Sequence, residues 1–149
     1  MGKRFAFYGL VGWIIEVLFT GASNAIIKKD SCATSQTYLW MHPIYGAAGL
    51  ALEAVHTKLP RKQIGTRLAA TVGVIYATEY LSGWILKRVL GKCPWDYTGK
   101  GVNVHGLVRL DYLPAWLLAA YLFEPVSHAA WNVANMKRPF RRARRMLAW

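Results

Sequence analysis

The sequence predicts an all-α integral membrane bundle of four transmembrane helices, with an aromatic loop between the third and fourth. Of the 149 residues, 54% are hydrophobic and 17% are charged, whereas soluble proteins have about 25% charged residues. Four apolar runs are each long enough, at about 1.5 Å per residue, to cross a hydrocarbon core of roughly 30 Å. The cations that give the net charge of +12 fall between these runs. This distribution is typical of membrane proteins, so no nucleic-acid partner is expected.

The first span is predicted over residues 5–27, directly after the basic pair Lys3 and Arg4. A cleaved signal peptide is the alternative. Glu16 interrupts the apolar run, and the run is long for a signal, so a retained helix is favoured.

The other three spans are predicted at residues 39–56, 67–86 and 112–134. Pro43 lies near the start of its span, where a proline is tolerated. Pro125 lies inside the last span and is expected to kink it. Residues 1–134 therefore form one transmembrane domain, and residues 135–149 form a basic tail.

Lysine and arginine counts predict the orientation of the spans. With the N-terminus inside, twelve of the 19 fall on the cytoplasmic side and seven on the other side, so both termini are expected in the cytoplasm. Cys32 and Cys93 then share the non-cytoplasmic side, where a disulfide and two unpaired thiols are both open alternatives. The basic tail either binds anionic lipid head groups or serves only as a topology signal.

Each predicted span carries one glutamate. A lone carboxylate in hydrocarbon costs roughly 2.5 to 3.5 kcal/mol on insertion scales, so four of them indicate a polar interior shared by a packed bundle. Helical spacing places glycines and aromatic residues on the same faces as the glutamates. Structural packing of these faces is the alternative to a binding site. The four acids are Glu16, Glu53, Glu79 and Glu124.

A paired-metal site is a minor alternative for the polar interior. Glu53 and His56 have the Glu-x-x-His spacing found in four-helix carboxylate proteins. Glu124 and His128 are one residue too far apart, and the rise of a helix separates Glu53 from Glu16 in depth. No metal and no cofactor is therefore predicted.

The segment at residues 87–111 is too polar to span and too aromatic for a plain linker. It is either an interfacial loop anchored by its rings or a partly re-entrant segment that covers the bundle. In the second case its polar side chains would line the outer mouth of the site. Those side chains are Asp96, Asn103, His105 and Arg109, and the aromatic candidates for the same site are Trp13, Tyr45, Trp95 and Tyr97.

One tripeptide, Gly-Trp-Ile, occurs twice along the chain. Gly12-Trp13-Ile14 in the first span matches Gly83-Trp84-Ile85 in the third. The match hints at a duplicated hairpin, although chance also produces such matches in apolar helices.

Several of these motifs resemble one known family. The run at residues 8–19, Tyr-Gly-Leu-Val-Gly-Trp-Ile-Ile-Glu-Val-Leu-Phe, resembles the opening helix of the transmembrane protein 229 family and of the bacterial proteins grouped with it as CmpB-like, or "putative type IV ABC-transporter", proteins. The likeness continues through Ile44-Tyr45-Gly46 with Glu53, Glu79-Tyr80 with Gly83, Cys93-Pro94-Trp95-Asp96-Tyr97, Gly106-Leu107, and Asp111-Tyr112 with Pro114 and Trp116. It covers residues 5–125.

The resemblance implies a four-helix integral membrane protein associated with transport. The printed sequence contains no nucleotide-binding P-loop, so ATP would require a separate subunit. Lys87 stands where bacterial members tend to have a second glutamate, and His56 is a further departure.

The predicted function is binding or passage of a small polar or cationic solute, with Glu16 and Glu79 as central acids and Glu53 and Glu124 along a route to the cytoplasm. The expected partners are the bilayer, anionic lipids and either further copies of the chain or a larger membrane complex. One alternative is a membrane-embedded enzyme acting on lipid, with Asp96 or Glu79 as general base. The other alternative is a non-catalytic assembly subunit, so an enzymatic role stays open.

Overall fold

The computed structural model describes residues 1–59 and 63–136, which form four α-helices and one short β-hairpin. The helices are α1 (Gly2–Ile27), α2 (Met41–Lys58), α3 (Ile64–Leu90) and α4 (Leu113–Asn135). Each lies within about four residues of its predicted bounds, so the prediction of a helical fold is confirmed. Strands β1 (Asn103–Val104) and β2 (Val108–Arg109) pair antiparallel inside the aromatic segment, and a 3₁₀ turn (Leu110–Tyr112) leads into α4. The β-hairpin was not predicted. Residues 137–149 of the predicted basic tail lie outside the described residues.

The four helices form a ring in which each contacts the next, and α4 closes the ring against α1. α1 and α2 share the most extensive interface. α4 remains α-helical on both sides of Pro125.

Glycines allow α1 and α2 to approach closely. A Cβ added at Gly12 would overlap the ring of Tyr45, and a Cβ added at Gly49 would overlap the ring of Tyr8. Each helix therefore offers a glycine to receive an aromatic ring of the other. Small residues serve the same purpose at transmembrane helix interfaces.

The segment between α1 and α2 returns along α1 instead of leaving the bundle. The Asn24 side-chain amide donates to the carbonyl of Thr34 at 2.7 Å. The indole of Trp13 donates to the carbonyl of Tyr38 at 3.0 Å. Because this segment occupies the second half of α1, α2 begins beside the middle of α1.

The segment between α3 and α4 returns along α3 in the same way. The Tyr80 hydroxyl lies 2.9 Å from Nδ1 of His105, and the Tyr76 hydroxyl donates to the carbonyl of Leu110 at 3.3 Å. A Cβ added at Gly83 would lie 3.2 Å from Leu107 and 3.3 Å from Trp95, so a larger residue would require these side chains to shift. The aromatic segment therefore covers the same face of α3 that carries Glu79.

The surface of the bundle is apolar and parts of its interior are charged. Leu18 and Leu118 are 66% and 59% exposed, while Glu53 and Arg67 are each only 8% exposed. A contiguous apolar surface of this kind marks contact with a membrane or another protein. Of the described helices, α1 alone is apolar over enough of its length to cross a membrane by composition. Polar residues interrupt the apolar runs of the other three helices, so composition alone supports one span among the described residues.

Replacing Gly12 or Gly49 with alanine is expected to separate α1 from α2. Overpacking of this kind costs about 1 to 3 kcal/mol, so each variant should melt at a lower temperature than the wild type in detergent. Gly73→Ala is the matched control, because nothing lies within 4 Å of a Cβ at that position. Equal melting temperatures for Gly49→Ala and Gly73→Ala would contradict the proposed close approach.

Candidate functional site

The four predicted acids divide into two clusters at different levels of the bundle. Glu16 and Glu79 lie under the two returning segments, among hydroxyl groups. Glu53 and Glu124 lie toward the opposite end, among arginines. The two pairs therefore have different chemical surroundings.

The first cluster, here the tyrosine–glutamate cluster, consists of Glu16, Thr37, Tyr45, Glu79 and Tyr97. The Thr37 hydroxyl donates a hydrogen bond to Oε2 of Glu16, and the Tyr45 hydroxyl interacts with the same carboxylate. Tyr97 interacts through its hydroxyl with Glu79. Tyr45 lies within electrostatic reach of both acids and of Tyr97, so it joins the two halves of the cluster.

Each returning segment supplies one hydroxyl to this cluster. Thr37 belongs to the segment between α1 and α2, and Tyr97 belongs to the segment between α3 and α4. The carboxylates are thus covered from the same end of the bundle by two loops. Movement of either loop would uncover an acid.

Glu79 keeps unused hydrogen-bonding capacity. Its Oε2 atom is buried and has no hydrogen-bond partner in the structure. A buried acceptor without a partner costs free energy. Among residues 1–59 and 63–136, no lysine or arginine forms an ion pair with Glu16 or Glu79. Within the part of the chain that the structure describes, the tyrosine–glutamate cluster therefore carries acidic groups without a compensating cation.

The second cluster, here the arginine–glutamate cluster, joins all four helices. Arg4 of α1 contacts Glu53 of α2 at 2.6 Å, and the Tyr8 hydroxyl donates to the second oxygen of that carboxylate at 2.9 Å. Arg67 of α3 lies 3.6 Å from Glu124 of α4. These contacts neutralise acids that would otherwise destabilise the interior.

Further contacts hold the two arginines in place. Arg67 lies 2.6 Å from Nδ1 of His56, and Arg4 stacks over the ring of Trp131 at 3.8 Å. Arg4 and Arg67 thus occupy both members of the Glu53-x-x-His56 pair. The arginine–glutamate cluster has the arrangement of a structural ion-pair network.

The remaining predicted site residues hold the aromatic segment together. The Trp95 indole donates to the carbonyl of Leu107 at 3.1 Å. Asn103 accepts from the backbone N–H of Gly106 at 3.0 Å, where the chain turns with a positive φ. Thr98 bonds lower the pKa of Asp96.

Arg109 pairs with Asp111 within this segment. The guanidinium donates to both carboxylate oxygens of Asp111 and lowers the pKa of that acid. It also lies over the ring of Tyr112 at 4.2 Å. Arg109 is therefore engaged in the loop and pairs with neither of the central acids.

Both cysteines are unpaired thiols. Cys32 is exposed, and Cys93 is half-buried near Gly83. Burial raises the pKa of the Cys93 thiol.

Sequence reasoning missed several residues of the two clusters. Arg4 and Arg67 were interpreted as the basic flanks of the first and third spans, twelve residues before Glu16 and Glu79, and their ion pairs with Glu53 and Glu124 were not predicted. Thr37 was assigned to a polar loop. The twelve-residue spacing does not indicate these pairs, because it relates each arginine to an acid that it does not contact. The position of Thr37 depends on how the loop folds back.

The fold and the clusters define a class: a small helical bundle with an apolar surface and a buried, partly uncompensated acidic interior. The family described as "Putative ABC-transporter type IV" matches residues 4–148. The chain belongs to this family, which confirms the resemblance seen in the sequence. No solved structure matches it significantly. The family description associates the chain with membranes and transport.

The Arg4–Glu53 pair is expected to stabilise the fold. Arg4→Gln or Glu53→Gln leaves the partner charge largely buried, which costs about 3 to 5 kcal/mol for a buried pair. The double variant should lose less stability than the sum of the two single variants. Melting temperatures in detergent measure this coupling.

The Arg109–Asp111 pair on the loop is the control for this double-mutant cycle, because exposed ion pairs contribute little. Its coupling should be clearly smaller than that of Arg4 and Glu53. Additive losses at Arg4 and Glu53 would show that the two side chains do not interact in the folded protein.

Proposed function

We propose that the protein is a four-span membrane subunit of a transport system and that its tyrosine–glutamate cluster binds a small cationic solute. The observation that carries this proposal is the pair Glu16 and Glu79, which have hydroxyl partners but no ion-pair partner among the described residues. A bound cation would supply the missing charge. Glu53 and Glu124, by contrast, already interact with arginines.

The distribution of apolar side chains supports the four-span arrangement. Exposed apolar residues follow the outer faces of α1, α3 and α4 up to the ends that carry the returning segments, and they include Leu18, Ile26, Ile85, Val89 and Leu118. Water would not stabilise such a surface, whereas acyl chains would. In this arrangement the parts of the two returning segments that contact Glu16 and Glu79, around Thr37 and Tyr97, lie at membrane depth.

Returning segments at membrane depth require internal hydrogen bonds. Irregular backbone in a bilayer is tolerated where protein groups satisfy it. Carbonyls of Thr34, Tyr38 and Leu110 accept from side chains of α1 and α3. These bonds agree with re-entrant segments that shield the acids from lipid.

The proposed topology places both termini in the cytoplasm and the two returning segments on the other side. Solute would then reach Glu16 and Glu79 from the non-cytoplasmic side, past Thr37 and Tyr97. Since the sequence has no P-loop, energy from ATP would have to come from another subunit. The proposed partners are therefore further membrane subunits, either copies of this chain or different proteins.

The two alternative functions receive less support from the geometry. A catalytic role for Asp96 and Arg109 requires free side chains, but both take part in the loop's own contacts. An assembly role for Glu53 requires it to pair with a partner's helix, but Arg4 of the same chain already binds it.

Glu79→Gln should abolish cation binding without unfolding the protein, because it removes the uncompensated charge and keeps the shape. The probes are sodium, magnesium and n-propylammonium chloride, titrated against the melting temperature of the purified protein in detergent. A ligand at about 100 times its Kd stabilises by about 2.7 kcal/mol. Glu124→Gln, outside the tyrosine–glutamate cluster, is the control and should keep the response. If no probe stabilises the wild type, or if Glu79→Gln responds equally, the proposed site is wrong.

Topology can be tested with the exposed thiol of Cys32. In a Cys93→Ala background, a membrane-impermeant maleimide should label Cys32 in intact cells. Cys32→Ala with Gln63→Cys in the same background places the thiol on the opposite side and should label only after permeabilisation. Labelling of both positions in intact cells, or of neither, would contradict the orientation.

A further inference from the structure

The bundle is built from two similar hairpins. Residues of α1 correspond to residues of α3 at a separation of 63 positions, which aligns Arg4 with Arg67. Residues of α2 correspond to residues of α4 at a separation of 71 positions, which aligns Glu53 with Glu124. The Arg4–Glu53 pair of the first hairpin therefore has its counterpart in the Arg67–Glu124 pair of the second.

Other features follow the same correspondence. Trp13 aligns with Tyr76, and each donates to a carbonyl shortly before the next helix, that of Tyr38 or Leu110. The prolines near the starts of α2 and α4, Pro43 and Pro114, also align. Glu16 and Glu79 align as well, and each interacts with a hydroxyl from its own returning segment.

The repeated tripeptide found in the sequence does not follow this correspondence. Gly12 packs against α2, whereas Gly83 packs under the aromatic segment. The two Gly-Trp-Ile motifs are 71 positions apart, whereas α1 and α3 correspond at a separation of 63 positions. Their match is therefore not part of the structural repeat.

The correspondence exposes one difference between the hairpins. In the first, Tyr45 interacts with Glu16 through its hydroxyl. In the second, the aligned residues are Trp116 and Glu79. The indole nitrogen of Trp116 is buried without a hydrogen-bond partner, and so is Oε2 of Glu79. The donor and the acceptor at these two aligned positions are therefore both unsatisfied.

We infer that a solute occupies this half of the cluster and bridges the Trp116 indole and the Glu79 carboxylate; this inference rests on the proposed function. The indole N–H can only donate, so the solute must offer an acceptor to it. The uncompensated carboxylate requires a donor, preferably a charged one. The solute class is therefore a small protonated amine that also carries a hydroxyl oxygen, that is, an amino alcohol.

The cluster also disfavours related solutes. A solute carboxylate would be repelled by Glu16 and Glu79, so an amino acid is excluded by charge. An alkylamine without oxygen would bind the acids but leave the indole donor of Trp116 without a partner, which lowers affinity.

The test compares ethanolamine with n-propylamine, which has the same number of heavy atoms but no hydroxyl. Dissociation constants are obtained from the melting temperature of the full chain in detergent as each amine is titrated. The wild type should bind ethanolamine at least about fivefold more tightly than n-propylamine, since a neutral hydrogen bond contributes about that factor. Trp116→Phe keeps an aromatic ring at this position and removes the indole N–H donor, so the preference for ethanolamine should disappear.

Trp84→Phe is the matched control, because Trp84 lies on the exposed face of α3; it should keep the preference. Equal affinities for the two amines in the wild type would overturn the bridging solute while leaving a cation site in place. An unchanged preference for ethanolamine in Trp116→Phe would also overturn the bridging solute and leave the cation site in place. If neither amine binds the wild type, this inference fails, and the proposed function fails as well if sodium and magnesium also leave the melting temperature unchanged.

Discussion

The ion pairs between each long helix and the helix that follows it are the interactions on which the bundle depends. Arg4 meets Glu53, and Arg67 meets Glu124. A carboxylate in a largely apolar interior must find a cation or hydrogen-bond donors. The two arginines meet this requirement at one end of the bundle. They also set the register of α1 against α2 and of α3 against α4.

That register determines what happens at the other end. Because α2 and α4 begin beside the middles of the helices before them, the connecting segments return along α1 and α3. The two segments bring Thr37 and Tyr97 to Glu16 and Glu79. These hydroxyl groups interact with the two carboxylates but carry no positive charge that would neutralise them. Among residues 1–59 and 63–136, one pair of acids is therefore neutralised by arginines, and the other pair has no cationic partner and is suited to a bound cation.

Much of the helical fold was predictable from sequence, because apolar runs and their basic flanks predict helices directly. The positions of Glu16 and Glu79 on inward faces also follow from helical spacing. The returning segments and the β-hairpin at residues 103–109 were not predictable, since they depend on tertiary hydrogen bonds such as that from Trp13 to Tyr38. For the same reason, the sequence did not predict which glutamates pair with arginines and which interact with hydroxyl groups. Arg4 and Arg67 precede Glu16 and Glu79 in sequence but pair with Glu53 and Glu124 across helices.

The central claim is that the apolar outer faces contact lipid while the acids face the interior. Its most direct test is the accessibility of spin labels at positions Leu18, Ile85 and Leu122 in lipid nanodiscs, with both native cysteines replaced by alanine. All three residues are exposed in the structure. Lipid-soluble oxygen should relax each label strongly, and a water-soluble nickel complex should have little effect. Strong relaxation by the nickel complex at these positions would show that the outer faces of the helices are in contact with water, which would contradict a lipid-facing surface.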